Sequence, residues 1–308
     1  MRLRPYTTTL DANMLDGLNL SVKHEKLSLR EVYNVPGRIT KEKYSVCAVP
    51  DTGAEQNILS AKAANQYRLV VDAAGGKKRF ILPNGREVWS EGTVRTAWLF
   101  EGEPSQSFDI SFQVLRGCPS DVIFGNGFLK QTATMTTNNK RLRAQLVLEA
   151  DIGSFFSFGR SHQRVAGAIN GTKVTALPDT GCVLNLVSLK YALDNDLDID
   201  MKEDHTGALQ YADGTTEETI GRVTTKWAFN DDLEHPVTLH FEVLVNCRYD
   251  VVLGQEALLA SEAMTKHTGS FFEQTVTGAM ELSPVVSKPH ILQELEKLTT
   301  KDTGESAR

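Results

Sequence analysis

The chain of 308 residues contains the same ordered set of short motifs twice. The segment VPDTGAEQNILS at 49–60 returns as LPDTGCVLNLVS at 177–188, so that Asp179 follows Asp51 at an offset of 128 (179 − 51 = 128). GTVRTAWLF at 92–100 returns as GRVTTKWAF, and FQVLRGCPSDVIFGNGFL at 112–129 returns as FEVLVNCRYDVVLGQEAL. Because motif order and spacing persist through each copy, the chain is a tandem duplication and should fold as two related units.

Each copy has the pattern of a small β-rich unit. Alternating apolar and β-branched residues precede the Asp loop in both copies, as KYSVCAVP and TKVTALP, which is typical of half-buried strands. Ser60 and Ser188 each precede an Ala/Leu-containing stretch and are predicted helix N-caps. The dipeptides Asn84-Gly85 and Asp213-Gly214 are strong hairpin-turn signals. The sequence therefore predicts a mainly β fold with one or two short helices in each unit.

The repeats set the expected domain boundaries. We expect a leader over 1–25, a first domain over 26–140 and a second domain over 141–275. Within the connection between the repeats, RAQLVLEA has the pattern of a further strand. Residues 276–308 are expected to form a short amphipathic helix followed by a disordered tail.

Composition argues against several classes of function. A net charge of −6 does not fit a general nucleic-acid binder, which needs an excess of Lys and Arg. No apolar run has the roughly 20 residues of a membrane-spanning helix, and the N-terminus has no apolar core of signal-peptide length. These features predict an intracellular protein without a membrane partner. The 4 cysteines lack metal-ligand spacing, so they are expected to be buried thiols, and we expect neither a metal nor another cofactor.

Two related Asp-Thr-Gly loops suggest chemistry that neither loop performs alone. Two carboxyl groups a few ångströms apart cannot both ionise easily, so that one of them keeps a proton. The ionised member of such a pair can take a proton from water while the protonated member polarises a carbonyl group. Gly53 and Gly181 let backbone amides approach a carboxylate, and Thr52 and Thr180 offer hydroxyl groups that can lock the loops together.

Both halves resemble the retropepsin family, the aspartic proteases of retroviruses and long-terminal-repeat retrotransposons. The resemblance rests on an apolar strand, the DTG triplet with the following NxxS, a later N/D-G turn and an apolar-apolar-Gly element before a helix. It covers most of 40–135 and 165–265. It implies closed β domains, catalytic Asp51 and Asp179, a peptide or protein substrate, and no cofactor.

The resemblance also implies a specific arrangement of the two units. Family members are usually homodimers in which each chain supplies one Asp, whereas this chain carries both halves. We therefore expect a monomeric pseudo-dimer, with a homodimer that pairs Asp51 with Asp51 as the alternative. The family covers its site with a mobile flap, for which the hairpins around 80–92 and 209–221 are the candidates, with Asn84-Gly85 and Asp213-Gly214 at or beside their tips.

One further interpretation of the two units stays open at this point. The units could keep the fold without catalysis and serve as a peptide-binding or assembly module, because fold does not imply function.

The third DTG triplet, at Asp302, has neither the preceding apolar strand nor a following NxxS, and we interpret it as part of the tail. Trp98, Trp227 and the matched Phe112 and Phe241 are expected to be core residues.

Overall fold

The computed structural model describes residues 29–39, 44–148, 152–157, 162–202 and 205–274. The predicted leader over 1–25, the predicted C-terminal helix and tail over 276–308, and Asp302 lie outside these described residues.

The first repeat forms a closed β-sheet with a separate hairpin. Its elements are β1 (Leu29–Ile39), β2 (Tyr44–Asp51), β3 (Ile58–Ser60), α1 (Ala61–Gln66), β4 (Arg79–Ile81), β5 (Glu87–Trp89), β6 (Gly92–Phe100), β7 (Ser107–Leu115), β8 (Val122–Gly125), α2 (Asn126–Gln131) and β9 (Arg143–Leu148). The strand order is β2-β8-β3-β7-β6-β1-β9, and β1 also pairs with β2, which closes the sheet on itself. Strands β4 and β5 form a two-stranded hairpin outside that sheet.

The second repeat has the same topology. It follows β10 (Ile152–Phe155) in the chain and comprises β11 (Gln163–Ile169), β12 (Thr172–Pro178), β13 (Leu186–Ser188), α3 (Leu189–Asp194), β14 (Ala208–Tyr211), β15 (Thr216–Glu218), β16 (Arg222–Phe229), β17 (Asp232–Leu244), β18 (Val251–Leu253), α4 (Gln255–Ala260), α5 (Ala263–Lys266) and β19 (Phe271–Glu273). The order β12-β18-β13-β17-β16-β11-β19, closed by the pairing of β11 with β12, matches the first sheet strand for strand. The mainly β architecture with short helices agrees with the sequence.

Strand β9 belongs to the first sheet. Its residues pair antiparallel with β1, with Leu29 opposite Leu148 and Asn34 opposite Arg143. The strand pattern in RAQLVLEA is thus confirmed, but the sheet continues past the expected domain boundary between residues 140 and 141. In the second repeat β19 takes the equivalent edge position beside β11.

The matched aromatic residues lie in the cores of the two sheets, as expected. Trp98 and Phe112 are fully buried in the first, and Trp227 and Phe241 in the second. Edge-to-face contact between Trp98 and Phe124, with ring centroids 4.7 Å apart, adds to the packing.

The N-cap predictions are confirmed at both equivalent helices. The hydroxyl of Ser60 accepts a hydrogen bond from the amide of Ala63 at 3.0 Å, and the hydroxyl of Ser188 accepts one from Tyr191 at 3.0 Å. Each cap satisfies an amide that the first helical turn leaves without a partner. It thereby fixes the direction in which the chain leaves β3 and β13.

Equivalent polar contacts join the two repeats beside the Asp loops. The Gln255 side chain accepts a hydrogen bond from the amide of Tyr33 at 2.9 Å and donates one to its carbonyl at 3.2 Å. The residue at the matching position, Asn126, donates to Oε1 of Gln163 at 3.1 Å. The first residue of the helix after β8 or β18 therefore contacts the opposite repeat in both halves.

Candidate active site

The two Asp loops meet at the junction of the repeats. Asp51 is the last residue of β2, and Asp179 directly follows β12. Both side chains are completely buried. Burial of an unpaired carboxylate is costly in free energy. Each Asp must therefore accept hydrogen bonds from neighbouring groups or carry a proton.

The threonines of the two loops interlock. The amide of Thr52 donates to the hydroxyl of Thr180 at 3.1 Å, and the amide of Thr180 donates to the hydroxyl of Thr52 at 3.0 Å. Each hydroxyl in turn donates across the junction at 2.8 Å, Thr52 to the carbonyl of Pro178 and Thr180 to the carbonyl of Pro50. These four buried hydrogen bonds make one rigid unit of the two loops.

The glycines bring each loop against the carboxylate of the other. A Cβ atom on Gly53 would overlap the carboxyl group of Asp179, and one on Gly181 would lie 2.6 Å from Oδ2 of Asp51. Only glycine permits an approach this close. The structure therefore brings Asp51, Thr52, Gly53 and their counterparts Asp179, Thr180 and Gly181 into one cluster.

Each carboxylate has one oxygen bound to backbone amides and one that is not. Oδ1 of Asp51 accepts from the amide of Ala54 at 2.8 Å, while Oδ1 of Asp179 accepts from Gly181 at 2.9 Å and from Cys182 at 3.0 Å. Oδ2 of both residues is buried, and no described donor is placed to hydrogen-bond to it. These two oxygens are therefore free to share a proton.

Burial raises the pKa of both groups, and the negative charge of Asp179 raises that of Asp51 further. The pKa of Asp51 is well above its ordinary value because of burial, the negative charge of Asp179 and a hydrogen bond from its own proton to Asp179. Burial raises the pKa of Asp179 to about 6, against the lowering effect of the Asp51 hydrogen bond and the amides of Gly181 and Cys182. The two groups therefore titrate as a coupled pair, which keeps a proton to higher pH than an ordinary carboxyl group does.

Two hairpins project from the sheets and contact the opposite repeats. Glycines with positive φ lie in the turns, Gly85 at 84° and Gly214 at 82°. The carbonyl of Pro83, in the first turn, accepts a hydrogen bond from the amide of Arg248 at 3.0 Å. In the second turn, a Cβ on Gly214 would lie 2.7 Å from the carbonyl oxygen of Gly117. The candidate flap turns Asn84-Gly85 and Asp213-Gly214 are thus the hairpin tips.

The tips also contact each other. Nη2 of Arg86 lies 3.3 Å from Oδ2 of Asp213, which joins the two hairpins by an ion pair. This pair and the tip contacts with the opposite repeats describe a closed arrangement of the hairpins. Closure of such elements excludes water from a site.

An apolar cluster drawn from both repeats fills the space between the Asp loops and the hairpins. Its fully buried members include side chains next to the Asp loops, on the hairpins and on the strands leading to Gly125 and Gly254: Ala54, Ile58, Leu82, Ile123, Phe155, Leu177, Cys182, Leu186, Leu209, Tyr211, Leu244 and Val252. This cluster joins the two repeats. We refer to this space between the Asp loops and the hairpins as the cleft.

The connection between the repeats runs through this cleft. Residues 152–157, IGSFFS, include β10, which pairs in parallel with hairpin strand β14. Phe155 and Phe156 are buried in the apolar cluster, and the hydroxyl of Ser157 donates to the carbonyl of Gly53 at 3.1 Å. The repeated motifs did not predict the position of this segment, although three phenylalanines in FFSF are an unusual composition for a simple linker.

The cysteines follow the expectation with one exception. Cys118, Cys182 and Cys247 are buried free thiols, whereas Cys47 is exposed on β2 because alternate residues of that strand face solvent. Cys182 lies at the position that Ala54 occupies in the first loop. Burial and the charge of Asp179 raise its pKa well above the ordinary value, so its thiol stays protonated and unreactive.

Neither metal-binding nor membrane-spanning features occur in the described part of the chain. Its His, Cys, Asp and Glu residues form no group of three or more that could hold a metal ion. None of the helices within the described ranges is long and apolar enough to cross a membrane.

Comparisons with known proteins give a limited result. No protein-family model matches the chain, and no curated protein matches it. Among solved structures, it is similar to the retroviral protease-like domain of Ddi1 from Leishmania major, with 20% sequence identity and a TM-score of 0.25 over 32% of this chain and 76% of that chain. A likeness at this TM-score does not assign the chain to a family.

Proposed function

We propose that the chain is an aspartic endopeptidase of the retropepsin-like kind, with Asp51 and Asp179 as its catalytic dyad. One observation carries the proposal: two interlocked loops present a pair of buried, coupled carboxyl groups, each with an oxygen that no described donor satisfies. Structural ion pairs and capping carboxylates are normally satisfied by donors. A proton-sharing pair of this kind is suited to general acid–base catalysis.

The proposed reaction needs only these two groups and water. Asp179, the more acidic member, takes a proton from a water molecule whose oxygen adds to the carbonyl carbon of the peptide bond. Asp51 donates its proton in a hydrogen bond to the carbonyl oxygen. The carbon–nitrogen bond then breaks as a proton from the dyad passes to the leaving nitrogen. The interlocked threonines hold the loops still, so that little reorganisation is needed.

We propose that the dyad forms within one chain. The two Asp loops of one chain are hydrogen-bonded to each other. At matching positions of the two repeats, Asn126 and Gln255 each contact the opposite repeat. Covalent linkage gives the second half an effective concentration that can reach the millimolar range. A pairing of Asp51 with Asp51 from another chain would have to displace these contacts.

A second candidate function is favoured by the occupied cleft. With residues 152–157 in place, Asp51 and Asp179 are fully buried, as in a module that holds an extended peptide without cleaving it. The elevated pKa values of the dyad are equally present in such a module. Activity measurements decide between the two.

The test is incubation with a mixed peptide library between pH 4 and 7, with products identified by mass spectrometry. We use the intact chain and Phe155→Asp, because the segment at 152–157 fills the cleft. Cleavage that a pepstatin-type inhibitor blocks, that Asp51→Asn and Asp179→Asn abolish, and that Asp109→Asn retains would support the proposal. Asp109 is a matched control because its carboxylate is exposed on β7. No cleavage by either chain across this pH range would favour the binding module.

A further inference from the structure

We propose that residues 152–157 occupy the cleft as a peptide substrate would, and that this intramolecular occupant blocks the dyad until it is displaced. The inference deepens the proposed function and rests on it, because it assumes that the cleft binds peptides. It also identifies the chemistry of the peptides that the cleft accepts.

The segment is hydrogen-bonded to the Asp loops on one side of the cleft. The carbonyl of Ser154 accepts a hydrogen bond from the amide of Val183 at 3.1 Å, and its hydroxyl donates to the carbonyl of Gly181 at 3.2 Å. Three residues later, the hydroxyl of Ser157 donates to the carbonyl of Gly53 at 3.1 Å. The segment is therefore held at both Asp loops, at one end by the second repeat and at the other by the first.

The segment also pairs with the second hairpin on the other side of the cleft. Strand β10 adds to the second hairpin as a third strand, with Ser154 opposite Gln210 and Phe155 opposite Tyr211. On its other side, Phe155 forms an isolated bridge with Cys182. An extended segment that completes a sheet edge in this way uses the general binding mode of peptide recognition by strand addition. The first hairpin has no such third strand among the described residues.

The central peptide bond of the segment lies between its contacts with the two Asp loops. Contacts with Gly181 and Gly53, the glycines that abut the two carboxylates, are made by Ser154 and Ser157. The peptide bond midway between these contacts is that of Phe155 and Phe156.

The side chains of the segment indicate the class of peptide that the cleft accepts. Phe155 is completely buried, with its ring centroid 6.2 Å from that of Tyr211, and Phe156 is 5% exposed. By contrast, a Cβ on Gly153 would lie 2.9 Å from Leu184 and 3.0 Å from Leu209. The cleft therefore fits an extended peptide with large apolar residues on both sides of the central bond and a very small residue two positions before the first of them.

The tether explains how such an occupant can block the site. A segment joined to both repeats competes at an effective concentration that can reach the millimolar range. A free peptide with micromolar affinity for the empty cleft therefore binds only weakly to the intact chain. Displacing the segment removes this competition.

The experiment measures binding of the labelled decapeptide DIGSFFSFGR, the sequence of residues 151–160, by fluorescence anisotropy. Every chain carries Asp51→Asn and Asp179→Asn, so that hydrolysis does not interfere. The opening variant is Phe155→Asp, which would place a charge in the apolar cluster. Its matched control is Leu146→Asp on β9, where the side chain is 65% exposed. A peptide with both central phenylalanines replaced by serine controls for nonspecific binding.

We expect the opening variant to bind the decapeptide at least tenfold more tightly than the intact and Leu146→Asp chains, and the serine peptide to bind none of them. If Phe155→Asp does not fold, Gly153→Val serves as an uncharged opening variant. Equal affinity in all three chains, or no binding to a folded opening variant, would overturn the proposal.

The outcome can be separated from that of the proposed function. One result would be that the Phe155→Asp chain with both Asp replaced binds the decapeptide, while the Phe155→Asp chain with both Asp intact cleaves no peptide. This result would support the proposal that residues 152–157 occupy a peptide site and would contradict the proposed endopeptidase activity. If the chain with its segment in place cleaves library peptides as fast as the opened chain, the activity stands and the blocking segment fails.

Discussion

Thr52 and Thr180 each donate a backbone amide hydrogen bond to the hydroxyl of the other, at 3.1 and 3.0 Å. The reciprocity means that neither loop has this geometry without the other. Rigidity of the dyad is thus coupled to the association of the repeats.

Replacing Thr52 with alanine should weaken both the rigidity of the dyad and the association of the two repeats. The substitution leaves the buried amide of Thr180 and the carbonyl of Pro178 without their partners, at a cost of about 1–3 kcal/mol in the free energy of unfolding. Urea unfolding measures this loss, and Thr52→Ser, which keeps the hydroxyl, is the control. An alanine variant as stable as the serine variant would show that the interlock contributes nothing to association.

Gly53→Ala should be harmful although it adds only one methyl group. The Cβ atom would overlap the carboxyl group of Asp179, so that the loop or the carboxylate must move, at a cost of about 1–3 kcal/mol typical of overpacking. The matched control is Gly127→Ala in α2, where nothing lies within 4 Å of the added atom and the helix gains about 0.5–1 kcal/mol. We expect urea midpoints to move in opposite directions, together with loss of any peptide hydrolysis in Gly53→Ala alone. Midpoints that shift alike would contradict the close approach of the two loops.

The raised pKa values of the dyad predict a pH dependence of stability. The folded chain keeps protons on Asp51 and Asp179 that unfolded carboxyl groups release near pH 4. The stabilising contribution of the protonated dyad is therefore complete below about pH 4. It decreases as the pH rises through about 6, the pKa of Asp179, and decreases further as Asp51 ionises.

Urea midpoints at pH 4.5 and 7.5 check this dependence. Other carboxylates act in the opposite sense, since Arg141 lowers the pKa of Glu103, so the comparison is with the variant Asp51→Asn/Asp179→Asn. The intact chain should lose more stability on going to pH 7.5 than this variant does. Parallel changes in the two chains would mean that the dyad does not carry the proposed shared proton.

The sequence predicts the features that depend on neighbouring residues or that occur in both repeats. The DTG loops, the caps at Ser60 and Ser188 and the glycine turns depend on a few neighbouring residues, and their occurrence at the same offset in two copies strengthens each of them. Because the copies share one strand pattern, the mainly β architecture also follows from the sequence, whereas the closure of each sheet was implied only by the family resemblance.

The path of residues 152–157 could not be predicted in this way. The segment has no counterpart in the other repeat, and its neighbours are Gly53, Gly181 and strand β14, which come from distant parts of the chain. The same reason applies to β9, whose strand pattern was visible but whose partner, β1, is more than a hundred residues earlier. Local patterns indicate a strand without naming the edge on which it pairs.

The matched asparagines of the two NxxS motifs offer a last prediction. Oδ1 of Asn57 accepts a hydrogen bond from the amide of Gly125 at 2.9 Å, and its Nδ2 donates to the carbonyl of Ser111 at 3.2 Å. Asn185 makes the equivalent bonds to Gly254 and His240 in the second repeat. Each asparagine thus ties the chain that leaves an Asp loop to two neighbouring strands.

Asn57→Ala should therefore destabilise the chain by about 1–2 kcal/mol, because the amide of Gly125 loses its acceptor. Hydrogen exchange at Gly125 should become faster, while exchange at Gly254, in the unchanged repeat, should not. Asn65→Ala, at an exposed position of α1, is the control and should be neutral or slightly stabilising because alanine favours a helix. Equal acceleration at Gly125 and Gly254 would instead indicate global unfolding, and the asparagine would then have no local role in holding its Asp loop.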